Sequence, residues 1–146
     1  LAYIIAESEK NSNFALYLTF NFVMAQHNDL GKRGEQLAFE FLKDKGYKII
    51  ARNWKLGKYE IDIIAQYENE IVFVEVKTRS TDYFGNPEDA VDYRRQCRMT
   101  NAADAYLRYT KSDFEPRFDI ISIILNDSQT TIDHIEDAFP PVAYYY

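Results

Sequence analysis

Glu75 and Lys77 stand two residues apart at the end of an apolar run, Ile71-Val72-Phe73-Val74-Glu75-Val76-Lys77. A strand turns alternate side chains to opposite faces, so Val72, Val74 and Val76 share one face and Ile71, Phe73, Glu75 and Lys77 the other. Both faces begin apolar, as in a central strand covered on both sides. Charges in such a place are costly unless they are paired or bound to a metal ion. A plain Glu75–Lys77 ion pair meets that demand as well as a metal does. The preceding run, Glu60-Ile61-Asp62-Ile63-Ile64-Ala65, weighs toward the metal. Ile61, Ile63 and Ala65 share one face of that strand, and Glu60 and Asp62 share the other. With the acidic faces aligned, Asp62 comes beside Glu75 and Lys77. Three acids and one base make a poor core but a good cage for a hard divalent cation such as Mg²⁺ or Mn²⁺, which takes oxygen ligands and keeps several waters. The backbone carbonyl of Val76 would complete the shell. The matching chemistry is phosphodiester hydrolysis: the ion polarises a phosphoryl oxygen and acidifies a water, and Lys77 orients that water or neutralises charge growing on the phosphate.

The elements that must position these groups follow from periodicity. Leu30, Gly34, Leu37, Ala38, Phe41 and Leu42 recur at three- and four-residue steps, which predicts a helix from about Leu30 to Lys45, capped by Asp29 and ended by Gly46. Glu35 in that helix would add an outer ligand if its side flanks the sheet; otherwise it is a solvated carboxylate. Tyr47 to Asn53, Glu60 to Tyr67 and Ile71 to Lys77 read as three strands joined by short turns, hence an antiparallel meander. Arg79 to Asn86 has loop composition, and Asn86-Pro87 signals entry to a second helix that runs to about Tyr109, with Met99, Ala102, Ala103, Tyr106 and Leu107 as its apolar face. Phe118 to Leu125 and Thr131 to Ile135 read as the last two strands. The order α-β-β-β-α-β-β gives an α/β fold, a mixed β-sheet flanked by helices.

The chain has 146 residues, 47% hydrophobic and 27% charged, which suits one globular domain and excludes a disordered chain. That domain is placed at residues 29–139, between an N-terminal extension, 1–28, and a tail, 140–146. Leu1 to Val23 is interrupted by Glu7, Glu9 and Lys10 and cannot span a bilayer, so no membrane role is expected. Met24 reads as an ordinary start, which makes Leu1 to Val23 an extension upstream of it. The single cysteine, Cys97, excludes an internal disulfide and fits a reduced cytoplasm, and no Cys/His cluster has zinc spacing. The net charge of −6 argues against nonspecific nucleic-acid binding, so any such contact needs a local basic patch. Arg94, Arg95 and Arg98 at the start of the second helix, Arg79 after Lys77, and Lys32 and Arg33 before Glu35 are the candidate rim for phosphates. A solvated helix face balanced by Asp89, Asp92 and Asp104 is the competing reading. Tyr83 and Phe84 are candidates for stacking on unpaired bases.

Asp62 followed thirteen residues later by Glu75-Val76-Lys77 matches the PD-(D/E)xK nuclease signature. Gly31-Lys32-Arg33-Gly34-Glu35, Gly46-Tyr47, Arg52-Asn53, Glu60 to Ala65, Val72 to Arg79, Ala102-Ala103 with Tyr106-Leu107, and Arg117-Phe118-Asp119 recur in the same order. Together they resemble the YraN-like family of small bacterial predicted endonucleases, relatives of archaeal Holliday-junction resolvases. The resemblance implies a restriction-endonuclease-like fold, Glu35, Asp62, Glu75 and Lys77 as the catalytic set, Mg²⁺ or Mn²⁺ as cofactor, and DNA, including branched or structured DNA, as partner. A resolvase-like role would favour a two-fold homodimer. Two positions depart from the family: Tyr59 stands where Gly is usual before Glu-Ile-Asp, and Arg95 where Lys is usual. The rival reading is a non-catalytic module that keeps the fold and binds nucleic acid or protein. A small-molecule phosphoesterase lacks a phosphate-cradling glycine loop.

Overall fold

The structure, a computed structural model, describes residues 2–81 and 91–142, with side chains from residue 15 onward. Helix α1 spans Ala2–Asp44. It therefore begins far ahead of Leu30, and Asp29, the expected cap, lies inside it. No Pro or Gly occurs between residues 2 and 30, so nothing in the backbone chemistry stops the helix there. The side chains of residues 15–29 are all exposed, and burial against the domain starts at Leu30. From there the anticipated stripe holds: Leu30, Leu37, Ala38, Phe41 and Leu42 join one core cluster. Gly46, with φ 91, closes the helix. Its N–H donates to the Lys43 carbonyl and that of Tyr47 to the Leu42 carbonyl, both at 3.0 Å, which is the paired capping pattern of a left-handed glycine.

The strands are β1 (Lys48–Leu56), β2 (Tyr59–Tyr67), β3 (Glu70–Arg79), β4 (Glu115–Leu125) and β5 (Thr130–Ile135). They form one mixed sheet in the order β1-β2-β3-β4-β5. β1, β2 and β3 make the expected antiparallel meander, β3 and β4 are parallel, and β5 returns antiparallel to β4. A parallel pair needs a crossover, and helix α2 (Tyr93–Thr110) supplies it. Asp92 caps α2 in an extended conformation, its side chain accepting from the Arg95 N–H at 2.8 Å. The helix is therefore not continuous from Pro87. Asn86-Pro87, Tyr83 and Phe84 lie outside the described residues.

The two helices cover opposite faces of the sheet. Ala38 and Leu42 of α1 pack on Ile63, Val72, Val74, Ile121 and Ile123 of the sheet. Met99, Ala102 and Ala103 of α2 pack with Ile64, Phe73, Phe118 and Ile120. Val72 and Val74 thus face one way and Ile71 and Phe73 the other, which makes β3 the doubly covered central strand that its sequence predicts. The result is a restriction-endonuclease-like α/β arrangement.

Candidate metal centre

The β2–β3 ladder stops at Ile63 opposite Val74. Beyond that pair β2 remains bonded to β1 and β3 to β4, so the two central strands part and leave a fork. Asp62 is the next residue on β2, and Glu75 and Val76 are the next on β3. Asp62 Oδ2 accepts the Val76 N–H at 2.8 Å, replacing the lost ladder bond. A strand residue projects its N–H and C=O toward the same edge, so the Val76 carbonyl also faces the fork, where β2 offers it no ladder partner.

The strict alternation read for β2 fails at this point. Ile63 and Ala65 face α1 as expected, but Ile61 joins Ile64 in the cluster under α2. On β1, Ala51 and Trp54 also pack on that cluster although they are three residues apart. Asn53 sits between them, opposite Asp62, with φ 48. A left-handed residue kinks an otherwise extended strand and rolls the residues after it to the other face. Glu60 is exposed, within electrostatic reach of Arg95, and the acids buried at the fork are Asp62 and Glu75.

Glu75 is 3% exposed and Asp62 9%. Glu75 Oε1 lies 3.3 Å from Lys77 Nζ, the alternate-residue partner on the same face. Glu75 Oε2 lies 2.5 Å from Nη2 of Arg95, which reaches in from the first turn of α2. Arg95, read from the sequence as part of a phosphate rim, thus pairs with a carboxylate of the centre. Its Nε is buried without a hydrogen-bond partner among the described residues. Burial and the neighbouring charge of Glu75 push the Asp62 carboxyl up to about 7, against the pull of the Val76 N–H and Arg95. Glu35 adds to that upward push from α1, so it stands within electrostatic reach of Asp62. Glu35 is half-buried and shares a hollow with Lys32 and Asn53. Its place depends on Gly34, because a Cβ there would meet Thr78 Oγ1 on β3 at 1.7 Å.

Asp62, Glu75 and Lys77 thus meet at one fork, reached by Arg95 from α2, with Glu35 on α1 within electrostatic reach of Asp62. Among the described residues no group of three or more His, Cys, Asp or Glu side chains forms a metal cage. Two carboxylates and one carbonyl suit a small hard cation that keeps several of its own waters, as Mg²⁺ does. The remaining basic residues lie at several places on the surface. Lys32 lines the hollow with Glu35, whereas Arg33 lines another with Asp29, Ser80 and Asn126. Arg94 and Arg98 are exposed on α2, and Arg79 is partly buried at the end of β3.

Arg117 and Asp119 serve a separate network on the α1 side. Asp119, fully buried, accepts from Arg117 through both oxygens at 2.9 Å, contacts His134 Nε2 at 2.7 Å and accepts the Asp137 N–H at 3.0 Å. Lys45 lies 2.9 Å from the other His134 nitrogen and 2.8 Å from Glu136. These contacts tie the end of α1 to β4 and to the chain after β5.

The sequence model of UPF0102, an uncharacterised protein family, matches residues 34–123. A UPF0102 protein of Phocaeicola vulgatus is 51% identical over 120 residues, 82% of this chain and 99% of that protein. Those of Bacteroides thetaiotaomicron and Parabacteroides distasonis are 50% and 49% identical over 118 and 116 residues, covering 81% and 80% of this chain and 98% and 96% of theirs.

Proposed function

This chain belongs to the uncharacterised family UPF0102, the YraN family, and from that premise we propose that it is a divalent-metal-dependent endonuclease that hydrolyses phosphodiester bonds of DNA. The observation that carries the reading is the convergence of Asp62 and Glu75 in the β2–β3 fork, with Lys77 at 3.3 Å from Glu75. Asp62, Glu75 and the Val76 carbonyl are the donors that would hold Mg²⁺ or Mn²⁺. When bound, the ion supplies Lewis acidity to the phosphoryl group and lowers the pKa of its water. The chain's own groups do the positioning. Lys77 is 39% exposed at the lip of the site, so its ammonium reaches solvent and can meet a phosphate oxygen as charge develops there. The Val76 N–H fixes one oxygen of Asp62 and thereby the orientation of the carboxylate. Glu35, on the α1 side of the fork, would orient water around such an ion.

The test is a panel of single-stranded, duplex, flap and four-way DNA incubated with Mg²⁺ or Mn²⁺. Cleavage should fall by about 10² or more in Asp62→Ala, Glu75→Ala and Lys77→Ala, the scale of losing one well-placed electrostatic group. Cleavage that survives all three changes would place the activity elsewhere.

One observation favours a second reading, a non-catalytic binding module. Both Glu75 oxygens are already engaged, by Lys77 and Arg95. Calorimetric titration with Mn²⁺ separates the two: an absence of binding at millimolar metal supports the module.

A further inference from the structure

We infer that the groove between α1 and the edge strand β1 is a track for a nucleic-acid backbone leading into the fork. The inference rests on the nuclease reading for its destination but not for its binding. Residues 43–58 hold six cations, Lys43, Lys45, Lys48, Arg52, Lys55 and Lys58, against one carboxylate, Asp44, in a chain whose net charge is −6. Lys45 is turned away, paired with Glu136. Lys43, Lys48 and Arg52 line one hollow with Phe39 and Ile50. Lys32, Glu35 and Asn53 line a second hollow along the same helix.

Positions 32, 35, 39 and 43 recur at three- and four-residue steps, so they form one stripe on α1. β1 runs alongside in the opposite sense, with Asn53 near Lys32 and Lys48 near Lys43. The two hollows therefore lie end to end, and one end is at Glu35, within electrostatic reach of Asp62. Lys32, Lys43, Lys48 and Arg52 are all exposed, and among the described residues Glu35 is the only carboxylate lining the two hollows. Arg52 lies 4.4 Å and Lys43 5.3 Å from the centre of the Phe39 ring, which holds both charges over the groove. From Lys32 to Lys43 the helix rises about 16 Å, long enough to hold consecutive phosphates of one strand.

Lysines on an edge strand also deter strand addition. That purpose needs no matching cations on the neighbouring helix, yet Lys32 and Lys43 supply them. A polyanion of regular charge spacing fits both walls.

The experiment measures binding of fluorescein-labelled single-stranded and duplex DNA in EDTA at several salt concentrations, so no cleavage is required. The groove variant is Lys43→Glu, Lys48→Glu, Arg52→Glu. The control is Arg108→Glu, Lys111→Glu at the far end of α2, and circular dichroism checks the fold of both. The groove variant should bind at least about tenfold more weakly and lose about two to three from the slope of log affinity against log salt, while the control stays within about twofold of the parent. No binding by the parent protein, or equal weakening in both variants, overturns the groove assignment. If the parent cleaves DNA and the groove variant binds normally, the groove falls and the nuclease reading stands. If the groove variant loses binding and no substrate is ever cleaved, the nuclease reading falls and the groove stands.

Discussion

Arg95 donates through Nη2 to Glu75 Oε2 across 2.5 Å, so α2 delivers a fixed cation to the carboxylate proposed to hold an exchangeable one. The guanidinium cannot shed its charge, and it satisfies Glu75 in a site that is otherwise acidic and buried. Any ion ligated by Glu75 has to compete with it.

The first prediction follows from that competition. Arg95→Gln should bind Mn²⁺ about tenfold more tightly than the parent, a change of about 1.4 kcal/mol. Calorimetry or the spin-resonance signal of free Mn²⁺ reads this without any nuclease assay. Unchanged or weaker binding would make Arg95 a support of the ion site instead of a competitor.

Asp62 predicts a pH dependence. Its carboxyl is raised from 3.8 to about 7 in the folded chain, first by burial and then by Glu75. As pH rises through that window the unfolded chain releases the proton more readily than the folded one, so stability is lost toward pH 7 and above. Asp62→Asn keeps an acceptor for the Val76 N–H but has no charge to bury. In EDTA at pH 8 it should be more stable than the parent by an amount on the order of 2–4 kcal/mol, since each pKa unit is worth about 1.4 kcal/mol. The gap should close below pH 4. Thermal unfolding at the two pH values measures it, and an Asn variant that is less stable at pH 8 contradicts the assignment.

Asp119 should behave in the opposite sense. Its bonds to His134 and Arg117 outweigh the effect of burial and hold its carboxyl below the usual range. The stability it contributes is present above the ordinary carboxylate pKa and disappears as pH falls through the lower folded value. Removing it leaves Arg117, only 10% exposed, without its main counter-ion. Asp119→Ala should lose about 3–5 kcal/mol in urea unfolding near neutral pH, as breaking a buried pair does. A loss under 1 kcal/mol would show the network to be dispensable.

Two glycines in α1 should respond oppositely to alanine. At Gly31 a Cβ meets nothing within 4 Å, so Gly31→Ala gains the helix preference of about 0.5–1 kcal/mol. At Gly34 the new methyl collides with Thr78, and Gly34→Ala should lose about 1–3 kcal/mol. The melting temperatures should move apart, and a stabilised Gly34→Ala would mean that α1 does not press on β3 as described.

Much of this architecture was legible in the sequence. The doubly apolar run Ile71–Val76 identified the central strand, because only a strand covered on both faces lacks a polar alternation. The stripe from Leu30 to Leu42 and Gly46 after it located the domain-facing part of α1 and its end, because both express local geometry. The start of α1 was not legible: Asp29 has the chemistry of a cap, but nothing near it breaks a helix, and the exposed residues 15–29 extend it.

At the site, the sequence by itself determined the kinds of charge and their strands: Asp62 on β2, Glu75 and Lys77 on β3. It did so through the period of two that fixes which side chains share a face. Only the tertiary structure decided where β2 and β3 separate, that the kink at Asn53 sends Ile61 to the other face, and that Arg95 turns inward to Glu75. Those features depend on contacts between segments far apart in the chain, and no local pattern of residue types encodes such distances.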